Sequence, residues 1–264
     1  LIAAAPLAAQ DTTRTPDGVR VGIDYTPGSR PSVVVLPGPG LDSARAIVGR
    51  DLDFSDRFEV ITLGPRDTTV GVNPGGRALD YKLFRTLGAA YAVELALDGP
   101  GVAVRLHDIA AGAVRREQRF TLPPQFDVNY RFGVHKVSDE VVRWITGTPG
   151  YAASRVLYLV DRRLHRVDSD GGGNIAVSMP GEDVLSPTWS PDGRRFAYTR
   201  FAAGRGSVVL QGVAAGDKTV VTGTTQFLNI TPAFSPDGRV LAFARSGEDG
   251  TDIFTADIAQ NCCV

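Results

Sequence analysis

The places where this chain could carry chemistry are three histidines, one aspartate-rich turn and two adjacent cysteines. His107 falls on the polar side of an alternating stretch. His135 lies in a helical stretch, where it would cap the helix or pack against a sheet. His165 sits beside a hairpin. No two of them have the spacing of a metal-ligand pair. Asp168, Asp170 and Asn174 bracket Gly171 to Gly173, but the run lacks the spacing and terminal Glu of a calcium loop. It also lacks the Lys and Ser/Thr of a phosphate loop, so it reads as a polar β-turn. No G-x-S-x-G nucleophile elbow occurs. Cys262 and Cys263 are neighbours that a strand would point to opposite faces, which is neither a disulfide framework nor a metal site. Asn229-Ile-Thr231 matches a glycosylation sequon, read here as incidental. These residues point to a binding protein rather than an enzyme, with no catalytic residue, cofactor or metal.

The bulk numbers narrow the class of partner. The 264 residues carry a net charge of −1, with 43% hydrophobic and 22% charged residues. That is an ordinary globular composition. It offers no basic excess for nucleic acid or an anionic membrane. Residues 1–10 (LIAAAPLAAQ) are small and apolar and give way abruptly to a polar run. They read as the remnant of a signal peptide, cleaved after Ala9 or Gln10, and a ragged Ala-rich start is the plainer alternative. No other run approaches a membrane span, so no membrane insertion is expected, and a monomer is expected.

Positioning falls to two kinds of structure. Val19 to Asp24 alternates as a half-buried strand does, and Ser32 to Pro37 is a more buried one. Leu41, Ala44, Ile47, Val48 and Leu52 fall at helical spacing, with Asp42 or Ser43 as N-cap candidates. Phe58 to Leu63 is strand-like, and Gly64 to Gly76 is a loop. Tyr81, Phe84 and Leu87 share a helical face that Gly88 ends. A meander follows over Tyr91 to Leu97, Val102 to Leu106 and Val114 to Leu122, the last as charged as an edge strand. Val128 to Ile145 is helical, and Ser138 is placed to cap a fresh helix there. Residues 11–150 thus form a small α/β domain, with Gly147 to Gly150 as a linker. From Ser154 onward only strands are expected, over Arg155 to Val160, Leu164 to Asp168 and Ile175 to Met179.

Then the chain repeats itself. Ser186-Pro-Thr-Trp-Ser-Pro-Asp-Gly193 returns as Thr231-Pro-Ala-Phe-Ser-Pro-Asp-Gly238, 45 positions later. Repeats of this length mark four-stranded propeller blades. Pro191 and Pro236 supply φ near −65° for a type I turn with Asp192 and Asp237 next. Gly193 and Gly238 supply the left-handed position of a bulged hairpin. Trp189 and Phe234 precede the turns at equivalent places and suit the wedge between blades. The expected architecture is an α/β domain followed by an all-β propeller. Three blades are counted, over about 155–179, 185–223 and 229–264. Propellers close with about four to eight, so the chain reads as a fragment.

With these residues in view, the chain resembles the TolB family of the Tol–Pal system. The resemblance runs through Val19 to Asp24, Ser138 to Val142 with His135 and Gly147 around it, Leu185 to Gly193, and Pro232 to Gly238. It implies a small α/β domain joined to a six-bladed propeller. It implies a periplasmic adaptor whose N-terminal arm contacts TolA and whose propeller face contacts the lipoprotein Pal, supporting outer-membrane integrity and division. On this chain the arm would be Val19, Arg20, Val21, Gly22, Ile23 and Asp24. The same six residues also read as a plain first strand. The Pal-facing loop would include Gln226, Leu228, Asn229 and Thr231. Two other readings share the SPDG turn. One is the propeller of a prolyl-oligopeptidase-type serine peptidase whose catalytic domain is not in this sequence. The other is a sugar- or peptidoglycan-binding propeller.

Overall fold

A computed structural model of the chain describes residues 30–63, 79–213, 218–222, 227–248 and 250–259, together with the backbone of 262–263. Its first part is a mixed sheet packed between helices. The strands are β1 (Ser32–Val35), β2 (Glu59–Ile61), β3 (Tyr91–Asp98), β4 (Gly101–Asp108) and β5 (Ala113–Thr121). Their order is β2-β1-β3-β4-β5, with β1 parallel to both neighbours and β3, β4 and β5 antiparallel. The helices are α1 (Asp42–Phe54), α2 (Tyr81–Thr86) and α3 (Tyr130–Thr146).

Strand alternation decides which residues meet which helix. Val33, Val35, Val93, Leu95, Val102, Val104 and Leu106 face α1 and α3 in one buried core. Val34, Leu36, Ala92 and Ile109 take the other face, under Phe84 of α2. Each fully buried side chain of this kind stabilises by roughly 1.5–3 kcal/mol. The α1 stripe of Ala44, Ile47, Val48 and Leu52 meets Val134, Val137, Val141 and Ile145 of α3. Strand β5 is exposed along almost its whole length, as a charged edge should be.

Three local expectations change. Leu41 is the N-cap of α1, without a side-chain cap bond, so neither Asp42 nor Ser43 fills that place. Ser138 caps nothing; it lies buried in the middle of one continuous α3. The helix runs through because Tyr130, Val134, Val137, Val141 and Ile145 keep one apolar face. It stops at Gly147, whose φ of 82° lets its N–H reach the Arg143 carbonyl. His107 is on the polar side by alternation, yet it is buried, because Tyr81 of α2 folds over it.

After α3 the described residues hold no further helix. Strands β6 (Arg155–Val160), β7 (Arg163–Asp168) and β8 (Ile175–Ala176) form a three-stranded sheet. The β6–β7 turn has positive φ at Asp161 and Arg162, as a two-residue type I′ hairpin requires. Next come β9 (Asp183–Trp189), β10 (Arg195–Ala202), β11 (Arg205–Gly212) and β12 (Lys218–Val220), ordered β12-β11-β10-β9. The last sheet is β13 (Leu228–Phe234), β14 (Val240–Gly247), β15 (Gly250–Asp257) and β16 (Cys262–Cys263), ordered β13-β14-β15-β16. Successive sheets pack face to face. Leu164 meets Val184, Phe196 and Tyr198, and Ala197 and Val208 meet Leu241 and Phe243. No described helix is long and apolar enough to cross a membrane.

Candidate interaction surfaces

The repeated hairpins are built by the same few bonds. Ser190 Oγ donates to Asp192 Oδ1 at 2.6 Å and accepts from the Arg195 amide at 2.9 Å. Asp192 Oδ1 also takes the Arg194 N–H at 3.0 Å. In the second copy Ser235 donates to Asp237 at 2.6 Å and accepts from the Val240 amide at 3.0 Å, while Asp237 takes the Arg239 N–H at 3.1 Å. Gly193 and Gly238 close the turns at φ of 65° and 70°. The serine hydroxyl first, and the amide second, hold both carboxyls below the usual carboxylate range. Pro191 and Pro236 sit exposed on the turns.

The wedge aromatics lie between sheets. Trp189 packs on Phe196 edge-to-face, with ring centroids 5.7 Å apart, within the cluster that joins β7 to β9 and β10. Phe234 rests against the cluster that joins β10 and β11 to β14. A second feature recurs at the same spacing, without a mark in residue type. Ser186 and Thr231, 45 positions apart, have φ of 50° and 55° and sit beside register shifts in β9 and β13. Positive φ is uncommon outside glycine and an outlier at a β-branched threonine. The strain at Thr231 is held from outside: its N–H donates to Thr199 Oγ1 on the neighbouring sheet at 3.1 Å.

The residues expected to face Pal fall as follows. Thr231 is exposed and Leu228 half-buried. Asn229 is fully buried and works as an internal bracket. Its amide donates to the Gly206 carbonyl at 3.3 Å, and its Oδ1 takes Arg245 Nε at 2.9 Å. Gln226 lies outside the described residues, as do residues 1–29 with Val19, Arg20, Val21, Gly22, Ile23 and Asp24, and the loop from Gly64 to Gly76.

A dense polar site lies elsewhere, where α1 and α3 meet the β7–β8 loop. One stripe of α3, Arg131, His135 and Asp139 at four-residue intervals, faces the later strands. Asp139 accepts from the Ala152 and Ala153 amides at 2.7 and 2.9 Å and so pins the connection from α3 to β6. Burial pushes its carboxyl above the usual range, against the pull of those two amides. His135 Nδ1 lies 2.7 Å from Asp51 Oδ2 of α1, which Ser138 Oγ also reaches at 2.6 Å. His135 Nε2 faces Asp170 Oδ2 at 3.5 Å. Arg50 and Arg131 both pair with that same Asp170 oxygen. Beside them Arg155 of β6 pairs with Asp168 at 2.9 Å and lies 3.6 Å over the Phe132 ring. A cavity of about 240 Å³ adjoins the cluster, with Phe54, Val142, Tyr151 and Ala152 on its apolar side.

Asp170, expected only to shape a turn, therefore ties two parts of the molecule together, while Asp168 pairs with Arg155 inside its own sheet. His135 neither caps α3 nor packs on the sheet. The sequence held one signal for this: Arg131, His135 and Asp139 at four-residue spacing fall on one stripe of the helix. Their partners Asp51 and Asp170 lie too far along the chain to be paired by pattern. The other histidines are simpler. His107 sits between Tyr81 Oη and Glu94 Oε2, each at 2.9 Å, and fixes α2 to the sheet. His165 lies against the Tyr158 ring on β6.

Against known proteins, residues 142–263 match the family model described as the TolB beta propeller domain. The Tol-Pal system protein TolB of Actinobacillus succinogenes is 32% identical over 224 residues, which is 78% of this chain and 51% of that protein. The Alcanivorax borkumensis protein of the same name is 29% identical, over 81% of this chain and 52% of its own length. This chain thus spans about half the length of these relatives. Among solved structures, the crystal structure of TolB from Acinetobacter baumannii superposes with a TM-score of 0.67 at 24% identity, covering 89% of this chain and 60% of that one. That likeness gives the fold, an α/β domain followed by a propeller, and the sequence matches give the kinship. Over the part of their length that it spans, the chain is similar in sequence to TolB proteins, and residues 142–263 match the TolB beta propeller domain.

Proposed function

We propose that this protein is a non-enzymatic adaptor of the Tol–Pal system, acting in the periplasm between TolA and the lipoprotein Pal. The observation that carries the reading is the sequence match to Tol-Pal system proteins over about four-fifths of the chain. An adaptor of this kind works by presenting two surfaces on a rigid body. The SPDG hairpins and strained bulges supply rigidity at the propeller, where Thr231 and Leu228 are accessible among the described residues of the Pal-facing set. Asn229 serves that surface from beneath by fixing the backbone of β13 to Gly206 and Arg245. Val19 to Asp24 is the arm assigned to TolA, where an alternating segment suits strand addition to a partner's sheet edge. In this role the protein supports outer-membrane integrity and constriction at division.

Calorimetric titration of the full-length protein with purified Pal, and separately with the TolA C-terminal domain, tests the reading. Binding of both is expected. Deleting residues 19–24 should abolish the TolA signal and leave Pal titration intact. Absence of binding to either partner at micromolar concentration would overturn the assignment.

A further inference from the structure

We propose that the cluster around His135 is a proton-controlled latch between the α/β domain and the propeller. The argument is geometric. Both imidazole nitrogens face carboxylates: Nδ1 is 2.7 Å from Asp51 and Nε2 is 3.5 Å from Asp170. A neutral imidazole carries one N–H and one lone pair. With Nδ1–H kept for Asp51, a neutral ring would turn its Nε2 lone pair toward the Asp170 carboxylate. Only the imidazolium suits both sides. The side chain is fully buried, so water does not screen the difference.

The two carboxylates belong to different parts of the molecule. Asp51 sits on α1 inside the α/β layer. Asp170 sits on the β7–β8 loop of the first propeller sheet, with its Oδ1 turned back to the Gly172 amide at 2.8 Å. His135 therefore sits at a joint. Every charged group packed around it belongs to the same joint: Arg50 and Asp51 on α1, Arg131 and Asp139 on α3, Arg155 on β6, Asp168 on β7 and Asp170 on the loop. Three buried polar atoms there lack a hydrogen-bond partner, namely Arg131 Nε, His135 Nε2 and Asp168 Oδ2. The cluster is thus not fully satisfied as it stands, and a lost proton worsens it. Burial alone would lower the His135 pKa. The Asp51 hydrogen bond and the charges of Asp51, Asp170 and Asp168 outweigh burial and raise it.

Docking adds the Asp170 and Asp168 carboxylates to the surroundings of the imidazolium, whereas Asp51 stays beside His135 whether or not the propeller is docked. The share of the raised pKa that comes from Asp170 and Asp168 belongs to the docked form, which is favoured while His135 is protonated and loosens as pH rises through the raised value. Arg50 and Arg131 still hold Asp170 after His135 deprotonates, so the latch loosens rather than releases.

The test has two readouts. Nitrogen-15 NMR of histidine-labelled protein, assigned with His107→Gln and His165→Gln, reports the charge state of His135. Single-molecule energy transfer between dyes on unnatural amino acids at Arg119 of β5 and Lys218 of β12 reports docking. The expected result is an imidazolium at pH 6.5 and one narrow distance distribution that broadens as pH rises to 9. Asp170→Asn should be broad at pH 6.5 already and lose most of the pH dependence. A neutral His135 at pH 6.5 would overturn the proposal. So would a distance distribution unchanged from pH 5.5 to 9.5, or a pH transition undiminished in Asp170→Asn.

Discussion

Replacing Asp51 by Ala removes the one carboxylate that anchors two buried donors. Asp51 Oδ2 accepts from His135 at 2.7 Å and from Ser138 at 2.6 Å. The His135 side chain is 0% exposed and that of Asp51 5%. Water cannot replace the lost acceptor without opening the α1–α3 contact. Removing one partner of a buried ion pair costs about 3–5 kcal/mol. His135 can shed its proton in the variant, which relieves part of that, so about 3 kcal/mol is expected. Asp51→Asn keeps one acceptor oxygen and should cost less. An exposed pair of similar length supplies the control: Arg119 and Asp98 meet at 2.9 Å with Arg119 77% exposed, and Arg119→Ala should cost under about 1 kcal/mol. Urea unfolding followed by fluorescence measures all three. The chain has two tryptophans. In a Trp189→Phe background Trp144, on α3 and hydrogen-bonded to Glu140, is the sole reporter of the α/β domain. The gap between parent and Asp51→Ala should be larger at pH 6 than at pH 9, because the stability from a raised His135 pKa is lost as pH climbs through it. A cost under about 1 kcal/mol at pH 6, equal to that of Arg119→Ala, would refute the reasoning.

Other consequences are checked more simply. Gly206→Ala would place a methyl 2.7 Å from Leu228 Cδ1 and 3.0 Å from the Asn229 carbonyl, where β11 meets β13. Such overpacking should cost about 1–3 kcal/mol in a denaturant melt, and no change would mean that the sheets are not in register there. Ser190→Ala should move the Asp192 carboxyl back toward the ordinary range in an NMR titration while leaving Asp237 low. Equal values in both turns of the variant would dismiss the serine as the cause. Tyr198 is fully buried, and desolvation pushes its hydroxyl up to about 12. Ultraviolet titration should therefore show a phenol near 12 that Tyr198→Phe removes, beside a raised Tyr81 phenol that the substitution leaves in place, with stability falling as pH passes 10.

What could be read in advance were the features whose causes are local. The turn at Ser190 to Gly193 needs only its own four residues and the next amide, so it was visible twice. The alternation of β3 and β4 and the glycine stop of α3 at Gly147 are equally local. Ser138 went the other way: in isolation serine favours a cap, but here its hydroxyl serves Asp51, 87 positions earlier in the chain. Asp170 satisfied a local reading as a turn residue and so hid its distant role. His107 obeyed its strand's alternation, yet Tyr81, 26 positions away, covered it. Thr231 was picked out as part of an exposed loop, and its left-handed backbone, which depends on Thr199 of another sheet, left no mark in its own residue type.

The central claim is that this protein presents its propeller to Pal. Site-specific photocrosslinking in the periplasm tests it most directly. A photoreactive residue in place of Thr231, exposed beside the strained turn of β13, should yield a covalent adduct with Pal. The same residue in place of Arg119, on the far edge strand β5, should not. Absence of a Pal adduct from Thr231 in a protein that is folded and expressed, or equal adducts from both positions, would contradict it.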